Sequence, residues 1–358
     1  MRRPPRVSGI FGQKIGLLLL CLVLGGCESL SYYQQAVSGH LSLMHSREPI
    51  AGLLQDPALD PALQERLRTF LRLRDFAATE LALPVGHSYE TLVRQNSPYV
   101  AWSVFAAPEF SLGLKQWCYP IAGCVAYRGY FAQEAANAYA ETLREQGWEV
   151  YLGGVTAYST LGWFDDPLLS SVLDRDTWQV ASVLFHELAH QVAYAPGDSD
   201  FNESFATAVE QEGLRRWLDA AGVSGGERAE LLQASAAQQS RNAAFVALVQ
   251  GAVQDLSALY GQGGDDAALR QAKQARLDAL RADYATLKQS WGGYGGYDGW
   301  FNGPLNNAQL ATVSTYNDLV PAFTALLARQ NGDLPAFYQA VQTLAGLDYT
   351  ARRAALAP

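Results

Sequence analysis

The sequence predicts a predominantly helical α+β fold with a small sheet near its middle and a C-terminal helical hairpin. Two long stretches rich in Ala, Leu and Gln, Glu227–Tyr260 and Asp266–Trp291, are separated only by Gly261–Asp265. That pattern is typical of two antiparallel helices with a short connection. Nearer the middle of the chain, Val100–Phe105 and Trp148–Leu152 are rich in β-branched and aromatic residues, which favour strands.

The remaining helices are predicted from apolar residues at helical spacing and from the Gly and Pro residues that interrupt them. We expect them over residues 31–44, 56–81, 132–146, from about 176 onward, 307–329 and 334–347. The chain then divides into four parts. They are an export signal over 1–26, an N-terminal helical segment over 27–98, a core over 99–226 and a helical C-terminal region over 227–358.

Composition and charge exclude two broad classes of protein. Of the 358 residues, 49% are hydrophobic, which is enough for a sizeable core and excludes general disorder. The chain has 35 acidic and 26 basic residues, and four of the bases lie in the first 26 residues, which contain no acid. Without that segment 22 bases face 35 acids, a net charge of −13. Such a chain repels phosphates, so nucleic acid is not an expected partner.

The N-terminus has the parts of an export signal. Basic residues precede the apolar run Ile15–Leu24, which is only half as long as the roughly 20 residues of a membrane-spanning helix. The run ends in Leu24-Gly25-Gly26-Cys27, which resembles the lipobox of bacterial lipoproteins. That resemblance implies a lipid on Cys27 and, with Glu28 rather than Asp next, an outer-membrane anchor facing the periplasm. An ordinary secretory signal followed by a chance cysteine is the alternative.

Two cysteines, Cys118 and Cys124, remain once the signal and the lipidation site are set aside. An exported chain passes through an oxidising compartment, where neighbouring cysteines usually pair. Pro120 and Gly123 favour a tight turn between them, so we predict a disulfide. A two-cysteine metal site is the alternative, although no further cysteine is left to complete it.

The segment Val183–Val192 contains the pattern H-E-x-x-H, formed by His186, Glu187 and His190. Residues four apart share one face of a helix, so both imidazoles can reach one metal ion. Glu187 lies about 100° around the helix from His186, close enough to act as a general base on water at the metal. Apolar residues flank the motif, and its half-buried polar groups need a partner such as a metal. We therefore favour a metal site over a chance pattern.

A catalytic zinc ion takes three protein ligands and leaves a fourth position for water. Twelve residues after His190, a second predicted helix opens at Asp200 or Asn202 and carries Glu203 at its start. Asn202-Glu203 begins an N-E-x-x-A pattern that resembles the element supplying the glutamate ligand in gluzincin metallopeptidases, at a shorter spacing. The resemblance implies that Glu203 is the third ligand of one Zn²⁺ ion; an acid favoured by the helix macrodipole is the alternative. Glu210, seven residues on, is a candidate to orient a histidine.

Seven stretches of the chain share a wider likeness. They are Ser31–Ala36, Tyr127–Tyr130, Ala157–Pro167, Phe185–Gln191, Phe201–Thr207, Asn306–Ala308 and Tyr316–Phe323. Together they resemble the bacterial family known as predicted aminopeptidases, over nearly all of the mature chain. The resemblance implies a zincin-like metallopeptidase core over 99–226 and a zinc-dependent aminopeptidase that hydrolyses peptides.

The likeness to gluzincins also implies where a peptide binds. Gly153–Phe164, upstream of the histidine motif, corresponds to an edge strand that pairs with the substrate backbone, with Gly154 and Tyr158 as contacts. A pair of core strands is the alternative. An aminopeptidase also needs an anionic group for the substrate's ammonium. Asp165 or Asp166, of which we take Asp166, is the candidate, or the pair only forms a turn.

The transition state needs a hydrogen-bond donor for its oxyanion. No histidine follows His190, which excludes the thermolysin-like arrangement, and the likeness to aminopeptidase N implies a tyrosine instead. Tyr316 is preferred for its family-like context, with Tyr297 second. Arg128 is either close to the site or a buried structural arginine.

Two alternatives to an aminopeptidase remain open on the sequence alone. One is a zinc endopeptidase with an open cleft, which needs no acid for an ammonium group. The other is a non-catalytic lipoprotein with a structural zinc ion, which would carry a fourth protein ligand.

Overall fold

The described part of the chain is predominantly helical with short strands, as the sequence predicts. A computed structural model describes residues 32–119, 123–156, 165–313 and 319–356. The helices there are α1 (32–45), α2 (Ile50–Leu53), α3 (Pro61–Thr79), α4 (Gln133–Glu145), α5 (Ser170–Leu173), α6 (Thr177–Val192), α7 (Ser199–Ala220), α8 (Gly225–Gln262), α9 (Asp266–Ser290), α10 (Asp298–Phe301), α11 (Asn307–Leu310), α12 (Val320–Arg329), α13 (Leu334–Ala345) and α14 (Tyr349–Leu356). The strands are β1 (Glu48–Pro49), β2 (Thr91–Val93), β3 (Ala101–Ala107), β4 (Trp117–Tyr119), β5 (Gly123–Val125), β6 (Arg128–Tyr130), β7 (Glu149–Val155) and β8 (Leu168–Leu169).

The described strands form two three-stranded sheets and a hairpin, whereas the sequence predicts one small sheet. One sheet has the order β1-β2-β8, the second has the order β6-β3-β7, and β4 pairs with β5. In the first sheet β2 pairs with β8 in parallel, with Leu92 opposite Leu168. Strands of two or three residues leave no periodic pattern in the sequence, so the sequence does not predict how many sheets they form.

The second sheet and α4 share a small core of their own. β3 lies between β6 and β7 and is antiparallel to both. Ala136, Ala140 and Leu143 on α4 are buried in one cluster with Val104 on β3 and Val150 on β7. Among the described strands, β7 is therefore an edge strand, with β3 as its one neighbour.

Aromatic side chains that surround Arg128 pack α1 against this sheet. The buried Arg128 guanidinium stacks on the rings of Tyr32 and Tyr139, at 4.2 and 4.4 Å from their centroids. A disulfide joins Cys118 to Cys124 at facing positions of β4 and β5. Of the two interpretations of Arg128, the contacts favour the buried structural arginine.

The largest core lies between α3, α6, α7 and the C-terminal helices. Its fully buried aromatic residues include Phe185, Phe201, Phe205 and Phe323. Gly213 brings α7 close to α6, because a Cβ at this position would lie 2.7 Å from the Phe185 ring. The helix that carries the histidine motif is thus held on several sides.

The predicted helical hairpin is present as α8 and α9, packed through Phe245, Val249 and Leu256 on the first helix and Leu277 and Leu280 on the second. Within the described ranges, α8 alone has the length and apolar composition to cross a membrane, criteria that helices of soluble proteins also meet.

Buried polar contacts join the hairpin to the second sheet. Lys273 on α9 pairs with Glu149 on β7 and donates to the Glu109 carbonyl. The side chain of Asn307, which is fully buried, donates to the carbonyls of Pro108 and Glu109, and its backbone N–H donates to Glu149. The Asn306–Ala308 stretch therefore has a structural role, because it connects the hairpin region to the second sheet.

Two of the predicted helices have wrong boundaries. α7 begins at Ser199 rather than at Asp200 or Asn202, because the Asp198 side chain accepts from the Phe201 N–H and caps the helix. The helix predicted over 307–329 is interrupted: α11 ends at Leu310 and α12 begins at Val320. The sequence analysis also missed the last helix, α14.

Candidate active site

Helix α6 places the histidine motif in a half-buried position. At its N-terminus the Gln179 side chain accepts a hydrogen bond from the Asp176 N–H, which favours helix initiation. Leu184, Phe185 and Leu188 are buried on the core side. The remaining face turns His186 and His190 toward α7, with their ring centroids 4.9 Å apart.

Glu203, in the second turn of α7, faces both histidines. Its Oε2 lies 3.2 Å from His186 Nε2, and its Oε1 lies 3.7 Å from His190 Nε2. One possible ligand atom from each of these three residues lies within 4.8 Å of the other two. Two histidines one turn apart on α6 and a carboxylate on α7 therefore meet at one point.

The donor set and its geometry suit a metal ion. With metal–ligand bonds of about 2.1 Å, two ligands of a tetrahedral zinc ion stand roughly 3.4 Å apart, close to the observed separations. His190 is 9% exposed, and its Nδ1 has no hydrogen-bond partner among the described residues. Two imidazoles and one carboxylate match zinc and similar divalent ions.

The electrostatic field at the site favours a cation. Burial lowers the pKa of His186, but hydrogen bonds to Glu203 and Glu210 outweigh it and raise that pKa to about 10. Burial and the charge on His186 lower the pKa of His190 to about 4. Burial raises the pKa of Glu203, yet its contacts with the two histidines bring it below the usual range. The carboxylates of Glu203 and Glu210 on the two sides of the His186 ring thus favour a positive charge at this site.

Glu210 makes the contact expected of a residue that orients a metal ligand. Its Oε2 lies 3.2 Å from His186 Nδ1, the ring nitrogen that points away from Glu203 Oε2. This contact fixes the ring and leaves Nε2 for a metal.

Removing this contact should weaken metal binding without removing a ligand. We expect Glu210→Ala to lower zinc affinity by about 10–100-fold and Glu210→Gln, whose amide oxygen can still accept from Nδ1, to lower it less. Competition with a chromophoric chelator measures both. Glu230→Ala removes an exposed carboxylate from α8 and is the control. Equal affinity of Glu210→Ala and this control would show that the contact does not orient His186.

Glu187 follows His186 in α6 and lines a pocket that also contains Tyr89. The pocket is mostly apolar and includes Phe70, Leu168 and Val183. Burial, above all, raises the pKa of Glu187; the charges on Glu203 and Asp166 add to this and His186 opposes it. A carboxylate in such surroundings holds a proton more readily than one in water.

Tyr89 is a site residue that the sequence analysis missed. It is 7% exposed, its hydroxyl has no partner among the described residues, and its φ of 66° is unusual for a tyrosine. Its pKa is raised by burial and by the charges on Glu187 and Asp166. Its backbone N–H donates to the Asp166 carbonyl across 2.6 Å, at the end of β2–β8 pairing. No local pattern around Tyr89 marks it.

A cleft of about 710 Å³ opens over His186 and Glu203 and is lined by α7, α8 and α12. Glu203 and Glu210 lie on one wall, and Gln238, Gln239 and Asn242 of α8 lie on the other. The N-terminal half of α8 therefore forms a wall of the cleft, and amide side chains on it can bond a peptide backbone.

A second cleft, of about 970 Å³, runs along β7 beside the glycine-rich segment 296–306. Gly154 lies in it, and a Cβ at Gly154 would collide with the Tyr99 ring. This cleft is larger than the one over His186 and Glu203 but contains none of the candidate metal ligands, so chemistry is expected in the smaller cleft.

The other predicted site residues lie in different surroundings, and some of them are outside the described residues. Asp166 lies near Glu187 but is 1% exposed, whereas Asp165 is exposed. Tyr297 stacks on Phe245 with the rings 4.4 Å apart, and Tyr294 donates to Gln238 on the wall of the cleft. Tyr158, Tyr316 and Cys27 lie outside the described residues.

The fold and the site together define a helical protein with a two-histidine, one-glutamate centre that can hold a metal ion. The chain belongs to the family described as "Putative aminopeptidase", whose model matches residues 31–356. This membership indicates a peptidase of the hydrolase class. No curated relative and no solved structure matches the chain significantly.

Proposed function

We propose that the protein is a zinc-dependent aminopeptidase of gluzincin type. The observation that carries the proposal is the convergence of His186, His190 and Glu203, with Glu187 next to the first ligand. This is the three-ligand set of a catalytic zinc site, and a structural site has no use for the additional glutamate. Family membership supports a peptidase independently of the geometry.

In the proposed hydrolysis each of these residues has its own role. His186, His190 and Glu203 hold the ion, and Glu210 keeps the His186 ring in place. When bound, zinc supplies a Lewis acid that polarises a peptide carbonyl and acidifies water. The Glu187 carboxylate takes the proton of the attacking water and delivers it to the leaving amine.

The oxyanion requires a hydroxyl donor, for which Tyr316 remains our proposal. Tyr89 adds a second candidate, since its hydroxyl is buried beside Glu187 and has no partner among the described residues. A buried hydroxyl of this kind gains most by donating to a charged oxygen, because it has lost its hydrogen bonds to water.

Among the described strands β7 has an unpaired edge, which supports the proposal that a peptide binds there as an added strand. The Val155 carbonyl accepts from Val100 and so points toward β3. By alternation, the backbone groups of Leu152 and Gly154 point outward. The Asn306 side chain donates a hydrogen bond to the Val150 carbonyl. The part of the β7 edge that can bind a peptide therefore ends at Val150.

The decisive experiment compares a free peptide with its N-acetylated form. An aminopeptidase should lose about a hundredfold in kcat/KM on acetylation, roughly the worth of one partly buried ion pair. Metal analysis of the same preparation should find one zinc per chain. Asp165→Asn and Asp166→Asn then test which acid binds the ammonium group, because loss of that acid should remove the preference for the free peptide.

A zinc endopeptidase is the second candidate, and two observations favour it. Asp166, the preferred acid for the ammonium group, is buried, and the α8 wall of the cleft carries amides instead of carboxylates. Equal cleavage of acetylated and free peptides, unaffected by both Asp→Asn variants, would establish this function and contradict the aminopeptidase.

We also propose that a lipid on Cys27 anchors the protein to the outer membrane, facing the periplasm. The lipobox-like Leu24–Cys27 supports this, and the described fold begins only five residues later, at Tyr32.

A further inference from the structure

Helix α1 exposes an apolar stripe that no other part of the described chain covers. Tyr33, Val37 and Leu41 recur every four residues, hence on one face, and are 41%, 58% and 60% exposed. They are three of the eight large apolar side chains exposed among the described residues. The opposite side of α1 is held to the protein, for example by the hydrogen bond from Gln35 to the Gly129 carbonyl.

The exposed face of α1 is also free of fixed charge. Its other members are Gln34, Ser38, Ser42 and His45, so it has no Asp, Glu, Lys or Arg. No acidic residue occurs over residues 29–47 as a whole, although the chain carries 35 acids. The helix therefore enters a lipid headgroup layer without desolvating a formal charge and without repulsion from anionic lipids.

The short connection between Cys27 and α1 limits how far the apolar stripe can lie from the membrane. Tyr32 follows Cys27 by five residues, which span at most about 18 Å when fully extended. A lipid on Cys27 therefore keeps the start of α1 within that distance of the bilayer. The last turn is about 20 Å further along the helix axis, so all of α1 can lie against the surface.

We propose that α1 lies in the membrane interface with Tyr33, Val37 and Leu41 inserted, and that it sets the orientation of the protein on the bilayer. The inference rests on the proposed anchor at Cys27, not on the peptidase activity. One consequence is that the β4–β5 hairpin faces the membrane too, because the ring of Tyr119 on β4 lies 6.0 Å from that of Tyr33.

Depth measurement with nitroxide spin labels tests the proposal on the full lipidated chain. Val37→Cys and Leu41→Cys are labelled separately, since Cys118 and Cys124 are joined in the disulfide. The protein is reconstituted into vesicles of phosphatidylethanolamine and phosphatidylglycerol, and intact mass verifies lipidation. Ala275→Cys, an exposed position on α9, is the matched control.

We expect both α1 labels about 5–10 Å below the lipid phosphates, accessible to oxygen and shielded from a water-soluble nickel chelate. The control label should remain accessible to the chelate. Labels on α1 as accessible as the control, in protein of the lipidated mass, would overturn the interfacial helix alone. Strong dipolar broadening between labels would overturn it in favour of a second copy of the chain on the stripe. An intact mass that shows no lipid on the protein would contradict the anchor at Cys27 and, with it, the proposed interfacial helix.

Discussion

Replacing Glu187 by Gln should leave zinc binding intact and lower kcat by about 10²–10⁴-fold, the range for loss of a general base. The substitution keeps the size of the side chain but removes the carboxylate that takes the proton. Among the described residues that line the pocket around Glu187, no other has a carboxylate that could replace the base. Single-turnover cleavage of a peptide and metal analysis of the same sample measure both quantities.

Variants of the three proposed metal ligands are the comparison for Glu187→Gln, because they should lose zinc as well as activity. His186→Ala, His190→Ala and Glu203→Ala should each lower zinc content, and activity should fall with it, because each removes one of the three proposed ligands. Glu230→Gln on the exposed surface of α8 should change neither quantity. A Glu187→Gln protein that keeps most of its activity would show that another group takes the proton.

Asp198→Ala should lower the free energy of unfolding by about 3–5 kcal/mol, the cost of breaking a buried ion pair. The Asp198 carboxylate is 2% exposed and accepts from Arg352 Nη1 across 2.6 Å, from Arg353 across 3.0 Å and from the Phe201 N–H across 3.1 Å. Its loss leaves the Arg352 guanidinium, 6% exposed, without a counter-charge and removes the cap of α7. Urea denaturation measures the change.

Asp348 is a matched control for the capping part of this effect. Its side chain accepts from the Ala351 N–H at the start of α14 but is exposed, so Asp348→Ala should cost only about 1 kcal/mol. Asp198→Ala together with Arg352→Met should recover part of the loss, since no buried charge is then left unpaired. Equal effects of Asp198→Ala and Asp348→Ala would contradict a net role for the ion pair.

The parts of the site that the sequence predicts are those encoded locally. The spacing of His186 and His190 defines one helix face, and Glu203 follows after a connection too short to carry it far away. The same reasoning predicts the contact of Glu210 with a histidine. Long helices with a short connection are similarly visible, as the hairpin α8–α9 illustrates.

The parts that the sequence does not predict depend on contacts between distant segments. Tyr89 reaches Glu187 through the parallel pairing of β2 with β8, across more than seventy residues of chain. Gln238 and Asn242 enter the cleft because α8 packs across it, and nothing in their local pattern distinguishes them from other polar residues of that helix. The burial of Asp166 likewise depends on contacts with Ser88 and Tyr89.

The candidate metal centre is unusually local in the chain compared with the interactions around it. All of its ligands and Glu210 lie within residues 186–210, on two consecutive helices. The Arg352–Asp198 pair, in contrast, joins residues 154 positions apart. Closing a short loop costs little chain entropy and is fast, so α6 and α7 can bring the ligands together before the C-terminal helices are in place. A metal ion captured at that point would act as a cross-link during folding, and metal supply in the compartment where the chain folds would then affect the yield of native protein as well as its activity.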